Sequence, residues 1–302
     1  MDTLVAEFLD YLRFERRRSE LTVKSYDEDL GLFVDYVRQL DESLSWQSVD
    51  HDIIRGWVES MMDKGNTATS VNRRLSCLRS FYRFALARKK VTHDPVYRIK
   101  GPKKAKPLPQ YLREDEMEKL LGMDIQVDNY KDVRARTIIL VFYSTGIRLS
   151  ELVGLNDASV DFVARQLKVL GKRDKERIIP FGSELAEVLG AYQRLRNETL
   201  GFVPERLFVT DTGQRMTASQ VRRLVGETLA KVTTLKKKSP HVLRHTFATA
   251  MLNNESSLES VQKLLGHESI ATTEIYTHTT FEQLRKVYTS SHPRGEKDES
   301  NL

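Results

Sequence analysis

The chain has 302 residues, 40% of them apolar and 30% charged, with a net charge of +6 at pH 7, enough for two ordinary domains with cores of their own. No run approaches the ~20 apolar residues of a helical membrane span, and MDTLVAEFLDYLRFERRR puts acids where a secretory leader carries positive charge. Cys77, the only cysteine, cannot make an internal disulfide, so a cytoplasmic protein with a buried, reduced thiol is expected.

The first hundred residues read as helices. Apolar stripes at helical spacing run through Leu4, Phe8, Tyr11 and Leu12; Tyr26, Leu30, Phe33, Val34 and Val37; Ile53, Ile54, Trp57, Val58 and Met61; and Val71, Leu75, Leu78, Tyr82, Ala85 and Leu86. Charge changes sign along this stretch. Residues 1–63 carry 7 Lys/Arg against 15 Asp/Glu, whereas residues 64–106 carry 13 against the lone acid Asp94. The fourth helix has Arg73, Arg74, Arg79 and Arg83 off its apolar stripe, so one side packs and the other suits a DNA groove. The plain alternative is a solvated basic face. The acidic first part is expected to face solvent or a neighbouring protomer.

GPKKAKPLP (101–109) follows, with prolines that forbid a helix and Lys103, Lys104 and Lys106 to meet phosphates. It is read as a linker between a helical domain (1–100) and a second domain (110–293), with a polar, disordered tail at 294–302. Beyond it, helices are expected at 113–121, 133–143 and 149–155. Strands are expected at 166–170 and 176–180 around the turn GKRDK, with RLFVT (206–210) as a further strand. Helices resume at 217–230, from Ser239 to about Leu252, at 258–265 with Gly266 as C-cap, and at 281–288. The fold class is therefore mostly α with a small β-hairpin sheet. Residues 214–244 form a second basic stretch, with 8 Lys/Arg, Arg222 and Arg223 among them, against Glu227 alone.

The polar residues that ask for a function lie in the second half. In SPHVLRHTFAT (239–249), Ser239 suits an N-cap and Pro240 the first helical position. His241, Arg244 and His245 then fall on one face, while Val242, Leu243, Phe247 and Ala248 look like core. Burying such a face is costly unless an anion meets it. Four of the seven histidines lie between His241 and His278. His267 sits just past the Gly266 stop, and Tyr276 nine residues further on. Arg148, in STGIRLSEL, occupies a Gly-interrupted junction between apolar helices, and Lys172 the hairpin turn. Taken singly, each has an ordinary structural reading. A zinc site from His241, His245 and His267 is disfavoured: no carboxylate holds the HEXXH position, and Arg244 would repel the metal.

Together, Arg148 in TGIRLSEL, Lys172 in LGKRDKER, His241 and Arg244 in SPHVLRHTFAT, His267 in LLGHESIATT and Tyr276 in IYTH resemble the tyrosine recombinase signature. The likeness extends to LTVKSYDEDLGLF, to VNRRLSCLRSFYRFA and, in FEQLRKVYTSSHPR, to the tail of Xer-type recombinases, and so covers nearly the whole chain. It implies a core-binding domain and a catalytic domain that close as a clamp on duplex DNA. Subunits would pair on inverted-repeat sites and meet as a homo- or hetero-tetramer in the synapse, with a paralogous recombinase and a DNA-translocase activator as further partners, no membrane, and nucleoid association. The segment Thr279–Pro293 would dock on a neighbouring subunit and restrain Tyr276.

The chemistry supports the same set. A tyrosine phenolate that attacks phosphorus keeps the bond energy as a phosphotyrosine ester, which a DNA 5′-hydroxyl later reverses. Fixed cations then serve in place of a metal or nucleotide cofactor. Arg148 and Arg244 can each fork onto phosphoryl oxygens, and His241 can take and return the tyrosine proton. His267 can donate to a non-bridging oxygen. The family assigns protonation of the leaving 5′-oxygen to Lys172. Glu151, three residues after Arg148, would orient the cations, and His245 would brace the site. The family hairpin reads GKGxKER, and Arg173 stands here at its second glycine, which leaves Lys175 open as the donor in place of Lys172. Chromosome or plasmid dimer resolution is the expected role. The alternatives are a mobile-element integrase, which would be expected to carry an arm-binding domain for which a chain starting at MDTLVAEFLDYL lacks room, a type IB topoisomerase, and a non-catalytic DNA-binding regulator.

Overall fold

The four apolar stripes of the first hundred residues become α1 (Asp2–Asp10), α2 (Glu20–Leu40), α3 (His51–Asp63) and α4 (Ala68–Ala87), with a single π-helical stretch, Tyr11–Glu15, continuing α1. In the computed structural model, residues 105–109, 172–174, 255, 267–277 and 296–302 are not described, and 278–284 are described by backbone alone. The chain divides into two units, Met1–Pro107 and Leu108–Leu302. Among the described residues no helix is long and apolar enough to cross a membrane.

Helices α2, α3 and α4 start where short polar side chains satisfy free amides. Ser19 Oγ accepts from Thr22 N, Asp50 from Asp52 N and Ile53 N, and Thr67 from Ser70 N. Their stripes meet in an aromatic core, with Trp46 4.2 Å from Phe81 and Phe33 4.8 Å from Trp57 between ring centres. Cys77 is buried in this core, and burial pushes its thiol up.

The second unit is built around α6 (Tyr130–Thr145), whose residues 137–145 are all buried. A helix apolar all round belongs in the middle of a domain, and α8 (Ser183–Leu200), α9 (Ala218–Ala230) and α10 (Pro240–Asn253) pack on it. The remaining helices are α5 (Glu114–Leu121), α7 (Leu149–Gly154), α11 (Leu258–Leu265) and α12 (His278–Ser291). One antiparallel sheet has the order β1 (Val160–Asp161), β2 (Gln166–Leu170), β3 (Glu176–Pro180), with Leu167 opposite Ile179 and Val169 opposite Arg177. These four residues alternate inward.

Three expectations change. RLFVT is not a strand: it makes one isolated bridge, Val209 to Arg215. Leu207, Phe208 and Val209 are buried in succession, and side chains take the carbonyls of Leu207 and Val209, while Phe208 O accepts from Met216 N. Tyr192 and Arg196 donate to Leu207 O, and Tyr130 and Arg134 to Val209 O. The helix α8 answers to no element read from the sequence. Its buried positions include Arg196, which forks onto Asp157 at 2.8 and 2.7 Å. Residues 294 and 295 are not free tail, because Arg294 bonds Glu184 at 2.7 Å and Gly295 N bonds His292 O at 2.8 Å. Within the chain, the end of α12 and the residue after it are packed on the second unit. Tyr288, Ser291 and His292 are buried, and His292 Nε2 donates to Tyr143 O at 3.1 Å while Nδ1 accepts from Arg294 N.

Candidate active site

The site begins where α6 stops. Gly146 takes a left-handed conformation (φ 59°), and a Cβ there would sit 2.5 Å from Phe247 and 2.8 Å from Leu265. Only glycine meets both demands, so the chain turns at once and delivers Arg148 to the N-cap of α7. Glu151, on the first turn of α7, reaches back to accept from Arg148 N at 2.7 Å and from Arg148 Nη1 at 3.0 Å. Arg148 Nη2 continues to Gly266 O at 2.8 Å.

Helix α10 supplies the second arginine. Ser239 occupies its N-cap position without a side-chain capping bond, and Pro240 is the first helical residue. Val242, Leu243 and Phe247 are buried and fix the helix to the core. Arg244, only 6% exposed, donates to Gly146 O at 2.5 Å and to Leu265 O at 2.7 Å. Burial, with Arg148 and Arg177 nearby, lowers its guanidinium to about 10, still charged at neutral pH. His241 is exposed one turn away, and its ring meets that of His245 edge-on at 4.6 Å. Burial, His241 and Arg244 together lower His245 below its ordinary value.

A third arginine was not among the residues singled out from the sequence. Arg177 points inward from β3 and forks onto Glu151 at 2.6 and 2.9 Å, while its Nε donates to Leu264 O at 3.1 Å. Burial raises the Glu151 carboxyl, but the bonds from Arg177 and Arg148 outweigh it and hold it below the usual range. The alternation of β3 carried a signal for this residue, since Arg177 shares the inward register with Ile179. Three guanidiniums thus converge on three consecutive carbonyls, 264 to 266, at the C-terminal end of α11, with Glu151 the single carboxylate among them in the described residues. Gly266 closes α11 in the left-handed conformation. The next residue is His267, which, with Lys172 and Tyr276, lies outside the described residues. Lys175, at the end of the hairpin turn, has its carbonyl bonded by Gly171 N.

The basic residues proposed for DNA divide. Arg73 pairs with buried Asp29 and donates to Ser25 Oγ at 2.6 Å, yet its side chain stays 47% exposed. Arg74 is turned inward to Asn66 Oδ1 at 2.9 Å, and Arg79 donates to Ile99 O at 2.7 Å. Both therefore also hold the N-terminal unit together. Arg83, Lys103, Lys104, Arg222 and Arg223 are exposed, Arg223 within 3.9 Å of Glu227. Lys106 lies outside the described residues.

A model of the phage integrase family matches residues 110–283, and a model of the phage integrase N-terminal SAM-like domain matches residues 5–89. The chain is 36% identical over 304 residues to the tyrosine recombinase XerC of Pelotomaculum thermopropionicum, covering 96% of this chain and 98% of the relative. To the tyrosine recombinase XerD of Oceanobacillus iheyensis it is 33% identical over 298 residues, covering 98% and 100%. Its fold is similar to a Tn1549 transposon integrase solved with transposon right end DNA, with a TM-score of 0.72 at 18% identity, covering 94% and 98%.

Proposed function

The chain belongs to the phage integrase family, and from that premise we propose that its second unit cuts and rejoins DNA through a 3′-phosphotyrosine bond to Tyr276. It is a tyrosine-type, site-specific DNA recombinase of the Xer kind. The observation that carries the mechanism is the cluster of Arg148, Arg177 and Arg244 around one carboxylate, Glu151. A locus with that excess of fixed positive charge is stable when an anion completes it, and a phosphodiester has the matching geometry.

In this reading Tyr276 Oη attacks phosphorus, the bond to the 5′-oxygen breaks, and His241 takes the phenolic proton. Arg148 and Arg244 stabilise the charge on the non-bridging oxygens, His267 donates to one of them, and Lys172 or Lys175 protonates the leaving 5′-oxygen. Attack by a 5′-hydroxyl from a second strand reverses the steps and frees the tyrosine. Arg83, Lys103, Lys104 and Lys106 in the first unit and linker, and Arg222 and Arg223 in the second, supply phosphate contacts. The substrate is duplex DNA with inverted-repeat sites, bound by a tetramer in the synapse. The role is resolution of chromosome or plasmid dimers at the nucleoid, alongside a paralogous recombinase and under a DNA translocase.

The test is covalent capture. On a nicked suicide DNA with inverted-repeat sites, the wild type should give an SDS-resistant shifted band that Tyr276→Phe abolishes and Arg244→Ala weakens. Tight binding to those sites without any covalent band from the wild type would leave a DNA-binding regulator in place of an enzyme.

A further inference from the structure

Arg177 is buried and lies in a strand whose other inward residues are aliphatic. Its bonds explain what that placement does. Two go to Glu151, the carboxylate that holds both the backbone and the side chain of Arg148. The third goes to Leu264 O, next in the chain to the carbonyls that receive Arg244 and Arg148. Gly266 is packed against the same guanidinium, since a Cβ there would lie 3.2 Å from Arg177 Nη1. One side chain therefore touches, through a single intermediary each, the supports of both arginines assigned to the phosphate.

We propose that Arg177 is a positioning residue for strand cleavage: it sets the phosphate-binding geometry of Arg148 and Arg244 by locking Glu151 and the end of α11. This rests on the recombinase reading above. A lysine cannot substitute, because a point charge on a flexible stem cannot fork onto Glu151 and reach Leu264 O together. Loss of a contact that orients a functional side chain costs about 10- to 100-fold where it has been gauged for the outer partners of metal ligands, and that range is taken as the scale here.

The experiment compares cleavage of ordinary DNA with DNA carrying a methylphosphonate at the scissile position, where a neutral methyl replaces one charged oxygen. Because Arg177→Met alone strands a buried carboxylate, it is paired with the charge-balanced variant Arg177→Met/Glu151→Gln, with thermal melting as the folding control. Arg148→Ala and Tyr276→Phe run alongside. The expected result is a loss of about 10- to 100-fold on ordinary DNA for the balanced variant and for Arg177→Lys. On the methylphosphonate the balanced variant should return to within about 3-fold of wild type, as Arg148→Ala should, because less charge remains to be stabilised. Equal slowing on both substrates, or no slowing on either, overturns the proposal while Arg148→Ala and Tyr276→Phe still report on the recombinase reading. A covalent band that survives Tyr276→Phe would instead overturn that reading, and the proposal with it.

Discussion

Among the described residues, each unit buries one carboxylate between two arginines, and the two constructions end differently. In the N-terminal unit Asp29, 2% exposed, faces Arg73 and, at 3.6 Å, Arg74. In the second unit Glu151, 3% exposed, receives Arg177 in a fork, Arg148 Nη1 and a backbone amide. Burial dominates at Asp29, so its carboxyl is held above the ordinary value despite both arginines. At Glu151 the donors win and the carboxyl is held below. The number and geometry of hydrogen bonds, rather than the count of opposite charges, decides whether a buried ion is compensated. The first pair staples α2 to α4. The second is a fully satisfied support on which unpaired positive charge can be displayed.

The comparison is broken most directly by removing each carboxylate. Glu151→Ala leaves Arg148 and Arg177 without their anion and should destabilise the second unit by about 3–5 kcal/mol, read by denaturant unfolding. Asp29→Asn should cost well under half of that, since it relieves a poorly solvated charge; an equal cost would show that the two sites are alike after all. Next, Arg244→Ala should slow covalent capture by about 100- to 1,000-fold with little change in DNA affinity, whereas no arginine of α4 should show that separation of rate from binding.

Acid should then separate the units. His292 is packed among Tyr143, Tyr288 and Phe247, and burial, only partly offset by its bond to Tyr143 O, lowers it from 6.5 to about 4. A base whose folded value is depressed costs stability once the unfolded chain binds the proton and the folded chain does not. Its contribution is therefore intact above pH 6.5 and falls as pH drops toward 4, by an amount on the order of 3 kcal/mol. Glu151 adds a loss of the same sign below its ordinary 4.5, while Asp29, with a raised value, shifts the N-terminal unit the other way. Calorimetry from pH 7 to 4.5 should show the second unit's transition falling first, and His292→Gln should flatten that slope. The smallest effect expected is for Arg83→Ala, which should weaken DNA binding uniformly across sequences and reduce the salt slope by about 1; a change confined to one sequence would assign it to base readout.

Much of the fold was legible in local pattern. The four N-terminal stripes, the hairpin, the Gly266 stop and the buried side of α10 were all readable at spacings of a few residues. Helix α8 escaped because Arg196 stands in its buried stripe where an apolar residue is expected, and Arg196 is buried with Asp157, 39 residues away, as its charged partner. RLFVT looked like a strand because apolar β-branched and aromatic residues favour one, but four side chains from α6 and α8 claimed the carbonyls of Leu207 and Val209. On α4, arginines off the apolar stripe looked alike in one dimension, and only the folded neighbours of Arg74 and Arg79 showed that these two also hold the unit together.

By itself, then, the sequence determined the helical periodicities, the segregation of charge and the order of the polar positions around Arg148, His241, Arg244, His267 and Tyr276. Those are properties of composition and short spacing, read along the chain. The tertiary structure alone decided that Arg177, 26 residues from Glu151 and 87 from Leu264, joins the other two arginines. Whether a buried charge is held or expelled depends on what lies within a few ångströms of it after folding, and no local spacing records that distance.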